Sequence, residues 1–326
     1  MRAFDTPLTR DAHIEVPLIC GAMYPCSNPE LVAAVSAAGA IGIVQPLSLV
    51  YVHGHEFRAG LRLIRRLTDR PVGMNVLIEQ SSRTYLERMR RWLDEALEDG
   101  IRFFVTSLGN PRWVVDRVRQ VGGRVYHDVT ERKWALKARD GGVHGLIAVN
   151  DRAGGHAGPR TAAQLLEDLG DLGLPLVCAG GVGAPEDFAR ALRLGYAGAQ
   201  LGTRFIATTE CNTHEDYKQA IVNATADDIV LTERVTGVPL AVIRTPYVER
   251  VGTRAGPIAR WLLRHRRTKP WMRTIYALRS AWRLKRGALQ GTSSKDYWQA
   301  GKSVDGIDAV VPAGEVVRRF REAAGV

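Results

Sequence analysis

One of the chain's eight histidines stands among glycines. His156 lies in AVNDRAGGHAGPR, with Gly154, Gly155 and Gly158 around it. An imidazole titrates near neutral pH and suits general-base work, and the glycines let a substrate or a flat ring lie against the backbone. His53, His55 and His265 have polar surroundings, and His127 ends an apolar run, where it reads equally well as a satisfied half-buried residue.

A second concentration of chemistry lies in residues 174–203, LPLVCAGGVGAPEDFARALRLGYAGAQLGT. It reads as two successive strand–loop–helix units, the first strand stopping at Gly180-Gly181 and the second at Gly202-Thr203. Such glycines let backbone N–H groups approach a phosphate, and the helix N-termini behind them add partial positive charge. The same pairs also occur as ordinary turns. Asn75 ends another apolar run, in PVGMNV. Its amide offers donors and an acceptor to a pyrimidine edge, or a cap to the next turn. Gly21-Ala22-Met23 would set small backbone and a thioether against a ring, or bury a methionine beneath a turn.

The elements that would position these residues alternate along the chain. Short apolar runs at 17–20, 41–44, 72–76, 103–107, 124–127, 145–149, 176–179 and 199–201 predict eight strands. Helical spacing at 29–38, 56–68, 83–98, 112–121, 132–140, 161–169 and 184–194 predicts the helices between them. This predicts an α/β fold, a (β/α)8 TIM barrel, in which the C-terminal ends of the strands carry the site and the seventh and eighth loops hold phosphate. A doubly wound sheet shares the alternation, but the early G-x-G-x-x-G turn is absent. After Thr203 the pattern breaks. Residues 204–223 read as helix and 225–243 as irregular chain or short strands. The next stretch, to about 286, reads as basic helices bearing Trp261, Trp271 and Trp282. The predicted division is a barrel of residues 1–210 and 300–326, closed by a helix at 313–324, with a mainly helical cap or substrate domain inserted at 211–299.

Composition narrows the class. Across 326 residues, 45% hydrophobic and 24% charged content suits a soluble globular enzyme. Cys20, Cys26, Cys178 and Cys211 form no CxxC pair and no metal-ligand spacing, so free thiols, a cytoplasmic location and no metal are expected. The N-terminal MRAFDTPLTRDAHIEVP lacks the apolar run of a signal peptide, and no run reaches membrane-spanning length. Between 244 and 286, thirteen Arg and Lys face a lone Glu249, so this segment accounts for the whole formal charge of +11. It is a candidate surface for an anionic partner or a membrane face, or a solvated cap or subunit contact. The oligomeric state stays open.

Taken in order, PLICGAM, PVGMN, AGGHAG, LPLVCAGGV and AQLGTRF resemble the nitronate monooxygenase (2-nitropropane dioxygenase-like) family of FMN-dependent barrels, and YWQAGKSVDGID at 297–308 is a weaker echo. The resemblance implies FMN, its phosphate held by Gly180, Gly181, Gly202 and Thr203 and its ring near Gly21, Ala22, Met23 and Asn75, with Gly154 and Gln200 completing the cofactor-binding set. It also implies His156 as the residue acting on substrate. The chain departs from the pattern at Asp128, where many relatives carry Lys or Gln, and at Val149-Asn150, where they carry Gln-Gly or Asp-Gly. An anion at Asp128 would not stabilise negative charge at the flavin N1/O2 edge. The activity implied is oxidation of a small alkyl nitronate with O2 to a carbonyl compound and nitrite. NAD(P)H-dependent reduction of quinones or enoyl thioesters is the alternative, and an anionic-partner binding module on a vestigial barrel is the non-enzymatic one.

Overall fold

The computed structural model describes residues 4–79, 83–235, 237–254, 283–290 and 297–325. Eight parallel strands close into a barrel in sequence order: β1 (Leu18–Cys20), β2 (Ile41–Val44), β3 (Gly73–Leu77), β4 (Phe103–Ser107), β5 (Arg124–Val129), β6 (Gly145–Val149), β7 (Leu176–Ala179) and β8 (Gly198–Leu201). The ring is completed where Ile19 pairs with Gln200. All eight predicted strands are present, and β5 extends past Asp128 because its pairing with β6 continues to Val129.

Helix α1 (Pro7–Ala12) precedes the barrel and has no counterpart in the sequence reading. A Thr6–Thr9 capping box starts it, and it is too short for a periodic signal. Its Leu8 and Ala12 join Ile19, Ile41, Ile43, Phe103, Val105, Tyr126, Ile147 and Val177 inside the lumen, plugging its N-terminal end. Seven helices follow β1 to β7: α2 (Pro29–Ala37), α3 (Phe57–Leu67), α4 (Arg83–Glu98), α5 (Arg112–Arg119), α6 (Arg132–Asp140), α7 (Ala162–Leu169) and α8 (Pro185–Leu194). Their apolar faces cover the outside of the sheet in the larger core cluster. Each fully buried Leu, Ile or Phe there contributes roughly 1.5–3 kcal/mol.

After β8 the predicted helix at 204–223 is divided into α9 (Thr203–Ile206) and α10 (Glu215–Asn223). The chain between them is pinned from outside: Asn28 donates to the Glu210 carbonyl and accepts from the Asn212 amide, and Thr208 bridges to Val311. Residues 225–243 then resolve into an antiparallel hairpin of β9 (Ile229–Thr232) and β10 (Leu240–Ile243), followed by α11 (Pro246–Val251). Residues 283–290 are helical, and the terminal helix, Ala313–Ala323, packs on α8 and α2. Trp261, Trp271 and Trp282 lie outside the described residues. No helix among the described residues is long and apolar enough to cross a membrane.

Candidate active site

Side chains alternate along a strand, so the residues that fill the lumen also identify those that rim its mouth. Counting on by two from Ile19, Ile43, Gly73, Val105, Tyr126, Ile147 and Gly198 reaches Gly21, Gln45, Asn75, Ser107, Asp128, Val149 and Gln200 at the C-terminal end. An apolar lumen therefore ends in a polar layer. Asn75 donates weakly to the Val105 carbonyl at 3.4 Å, which ties its amide to the next strand. Gln45, absent from the sequence candidates, accepts from the Ser48 amide at 2.6 Å. Only its place two residues after Ile43 marks it in the sequence.

Gly21 is needed for space. A Cβ there would come within 3.0 Å of Gln200 Cγ, so its bareness lets Gln200 reach across the mouth. The carboxyl of Asp128 meets the Gln200 side chain. Asp128 Oδ1 and Gln200 Oε1 are both sealed from solvent without a hydrogen-bond partner. Burial pushes the Asp128 carboxyl up to about 7, while Gln200 pulls slightly the other way. Burial thus favours the protonated form of Asp128 over a fixed anion.

The glycine-rich loop after β7 has the shape its sequence demands. Gly180 and Gly181 adopt φ of 113° and 72°, a region closed to most side chains. Asn150 clamps the loop, donating to the Gly180 carbonyl at 2.9 Å and accepting from the Arg152 amide at 2.8 Å. The departure at Val149-Asn150 is thus structural in effect: Val149 joins the lumen and Asn150 links the loops after β6 and β7. The amides of Gly183 and Ala184 are taken by Asp187 Oδ2, at 3.2 and 3.0 Å. An anion at this end of α8 would accordingly be met upstream, around Gly180 to Val182.

The loop after β8 is tied to the returning chain. Thr203 is buried, and its hydroxyl accepts from the Gly301 amide at 3.0 Å. Helix α9 is a single turn, which removes most of the expected second dipole. Gly202 faces the Met23 thioether, with its Cβ position 3.5 Å from Sδ, and Ala22 lies against the lumen cluster. Gly154 meets backbone: its Cβ position is 3.1 Å from the Gly301 nitrogen. The segment 301–306, part of the weaker sequence echo, thus packs on the loops after β6 and β7. Arg152 holds it through the Lys302 carbonyl and Asp305, at 3.0 and 3.1 Å.

His156 projects to solvent at the rim, yet the surrounding protein removes enough water to lower its pKa from the usual imidazole range. It is therefore largely the neutral base at pH 7. Its neighbour Gly155 bridges to Ala241 of β10. His127 resolves to the structural alternative. It faces outward, its Nδ1 sits 2.7 Å from Thr106 Oγ1, and burial lowers its pKa to about 4. The four cysteines are free and buried, and no cluster of metal-binding side chains occurs among the described residues.

The sequence pattern of the Nitronate monooxygenase family matches residues 5–322. The chain belongs to the nitronate monooxygenase family. It is 26% identical to a hydroxy-methyl-oxo-octahydroindene-carboxyl-CoA dehydrogenase of Mycobacterium tuberculosis, over 96% of this chain and 94% of that one. It is 25% identical to a probable nitronate monooxygenase of Staphylococcus saprophyticus, over 76% and 80%. Among solved structures it is similar in fold to FabK from Thermotoga maritima, with TM-score 0.80, 24% identity and coverage of 98% and 96%. As a member of the nitronate monooxygenase family, the protein is a flavin-dependent oxidoreductase acting on a small molecule, and the binding-module reading falls away. The mouth fits a flavin on its own evidence. Two sealed polar atoms, Asp128 Oδ1 and Gln200 Oε1, lack partners at strand ends of the same mouth, whose loop after β7 carries left-handed glycine backbone.

Proposed function

We propose that the protein is an FMN-dependent oxidoreductase of coenzyme A thioesters. The observation that carries this reading is extent: similarity to a carboxyl-CoA dehydrogenase runs over 96% of the chain, against 76% for a nitronate monooxygenase. The thirteen cations between 244 and 286 suit the several phosphates of coenzyme A, making the anionic partner the substrate itself. Residues 211–299 then serve as the substrate-side cap, with β10 joining it to the His156 loop. A single glycine loop with left-handed backbone, at Gly180 and Gly181, suits one terminal phosphate, which favours FMN over a dinucleotide.

Bound flavin supplies two-electron exchange with the substrate. The chain's own work is acid–base and positional. A thioester carbonyl acidifies the neighbouring C–H, and His156, neutral at pH 7, is the base we assign to take that proton. The lumen below is filled, so substrate enters only from the mouth.

Nitronate oxidation with O2 is the second reading, favoured by the family match and by the same base. A nitro group acidifies its neighbouring C–H as a thioester does. The test is to load the protein with FMN and add, without oxygen, an acyl-CoA, an alkyl nitronate or NAD(P)H, following the flavin absorbance. Bleaching by the acyl-CoA, or re-oxidation of the reduced protein by an enoyl-CoA, is expected. Response to the nitronate alone would select the second reading.

A further inference from the structure

Asp128 and Gln200 stand on β5 and β8, three strands apart, and meet across the lumen. An amide side chain donates only through nitrogen, so Gln200 Nε2 is the group that can turn to the Asp128 carboxyl. That leaves one oxygen on each partner, Asp128 Oδ1 and Gln200 Oε1, sealed and without a hydrogen bond. As a carboxylate, Asp128 would present two orphaned acceptors together with Gln200, an arrangement that is costly away from water. With its proton in place the pair changes character. It then offers one O–H donor and one carbonyl acceptor on adjoining groups, the complement of an edge carrying a C=O beside an N–H.

The pyrimidine ring of a flavin has such an edge, where the N3–H lies between two carbonyls. We infer that Asp128 and Gln200 together read this edge, the protonated Asp128 donating to a flavin carbonyl and Gln200 Oε1 accepting from N3–H. Flavin affinity is then tied to the Asp128 proton. This rests on the flavin site described above and adds to it a pH-dependent binding residue.

The surroundings leave Asp128 as the group that titrates. Burial and Gln200 are the influences on its carboxyl. The inward residues on the other strand ends, Asn75, Ser107, Val149 and Ala179, do not ionise. His127, on the same strand, is turned outward onto Thr106. His156, on the rim loop after β6, is the other ionisable side chain to control for.

The experiment is a titration of apo-protein with FMN from pH 5.5 to 9, read by quenching of flavin fluorescence, for wild type, Asp128→Asn and His156→Ala. Wild-type Kd should be flat below about pH 6.5 and rise above 7, approaching tenfold per pH unit. Asp128→Asn keeps a donor of the same shape that cannot ionise, so its Kd should stay within a few-fold of the acidic wild-type value throughout. His156→Ala should keep the wild-type slope, and the second ionisation of the FMN phosphate is common to all three. The carboxylic-acid C=O stretch in infrared spectra of apo-protein at pH 6 should vanish in Asp128→Asn, a readout independent of cofactor. A flat wild-type Kd, or a slope that survives in Asp128→Asn, would overturn the inference while leaving the flavin site standing. Failure of wild type to bind FMN at every pH would overturn both.

Discussion

The Ala241 amide donates to the Gly155 carbonyl at 2.8 Å, so the residue before His156 is tied by an antiparallel bridge to the edge of the β9–β10 hairpin. The same edge receives the returning chain, where the Ile243 amide donates to the Trp298 carbonyl at 2.8 Å. A glycine-rich loop has little stiffness of its own. The hairpin therefore sets the position of the candidate base. Ala241→Pro deletes the donor and sets the pyrrolidine Cδ against the Gly155 carbonyl, so the bridge is lost. It should lower kcat by roughly 10- to 100-fold, the usual cost of a misplaced catalytic group, while FMN content measured by absorbance stays at the wild-type level.

Two glycines in the predicted phosphate grip should respond differently to alanine. At Gly180 a Cβ would come within 2.3 Å of Asn150 Oδ1 and 2.6 Å of the Ala153 nitrogen, on backbone with φ of 113°. At Gly202 the nearest atom is Met23 Sδ, at an ordinary 3.5 Å. Gly180→Ala should therefore cost about 1–3 kcal/mol from backbone strain alone and purify with little flavin, whereas Gly202→Ala should fold normally. Thermal denaturation and flavin-to-protein ratio distinguish the two.

His156→Ala should retain flavin and lose about 10²- to 10⁴-fold in turnover on substrates that must surrender a proton, whether acyl-CoA or neutral nitroalkane. A preformed nitronate needs no abstraction and should suffer less, a contrast that separates a base from a binding contact. Equal turnover of variant and wild type on the neutral substrate would remove His156 from the mechanism.

His127 makes an acid-sensitive contribution to stability. Its folded pKa is lowered from 6.5 to about 4, so the unfolded chain gains a proton first as pH falls. Stability is complete above pH 6.5 and declines through the window down to about 4, by at most about 3 kcal/mol. In His127→Leu the Thr106 hydroxyl keeps its bond to the Tyr126 carbonyl at 3.2 Å. Urea denaturation of this variant should show a shallower loss between pH 6.5 and 4 than wild type.

Exchanging Arg264, Arg266 and Arg267 for glutamine tests the basic segment. These positions lie outside the described residues, and the prediction rests on charge alone. KM for an acyl-CoA should rise, and its increase with added salt should become less steep, with FMN content unchanged. A KM indifferent to both the exchanges and salt would count against coenzyme A.

Much of the molecule is written in local pattern. The apolar runs that became β1 to β8, the helices between them, the glycines that end β7 and the loop carrying His156 all follow from spacing, because strand and helix periodicity act over a few residues. The left-handed backbone at Gly180 and Gly181 is likewise local. Contacts between distant segments are not. Nothing near Asp128 announces that Gln200 will meet it across the lumen, or that burial will hold its proton near neutral pH. Nothing near Thr203 predicts that its hydroxyl will bind the Gly301 amide, about a hundred residues away. Nor does the β-branched stretch at 225–243 reveal that it will brace the His156 loop. The loop after β6 meets β10 and residue 301 only once the barrel has closed. Sequence therefore determined which residues could do chemistry, while barrel closure determined which are sealed, which are paired and which proton each one keeps, since those depend on the water and partners that distant segments remove or supply.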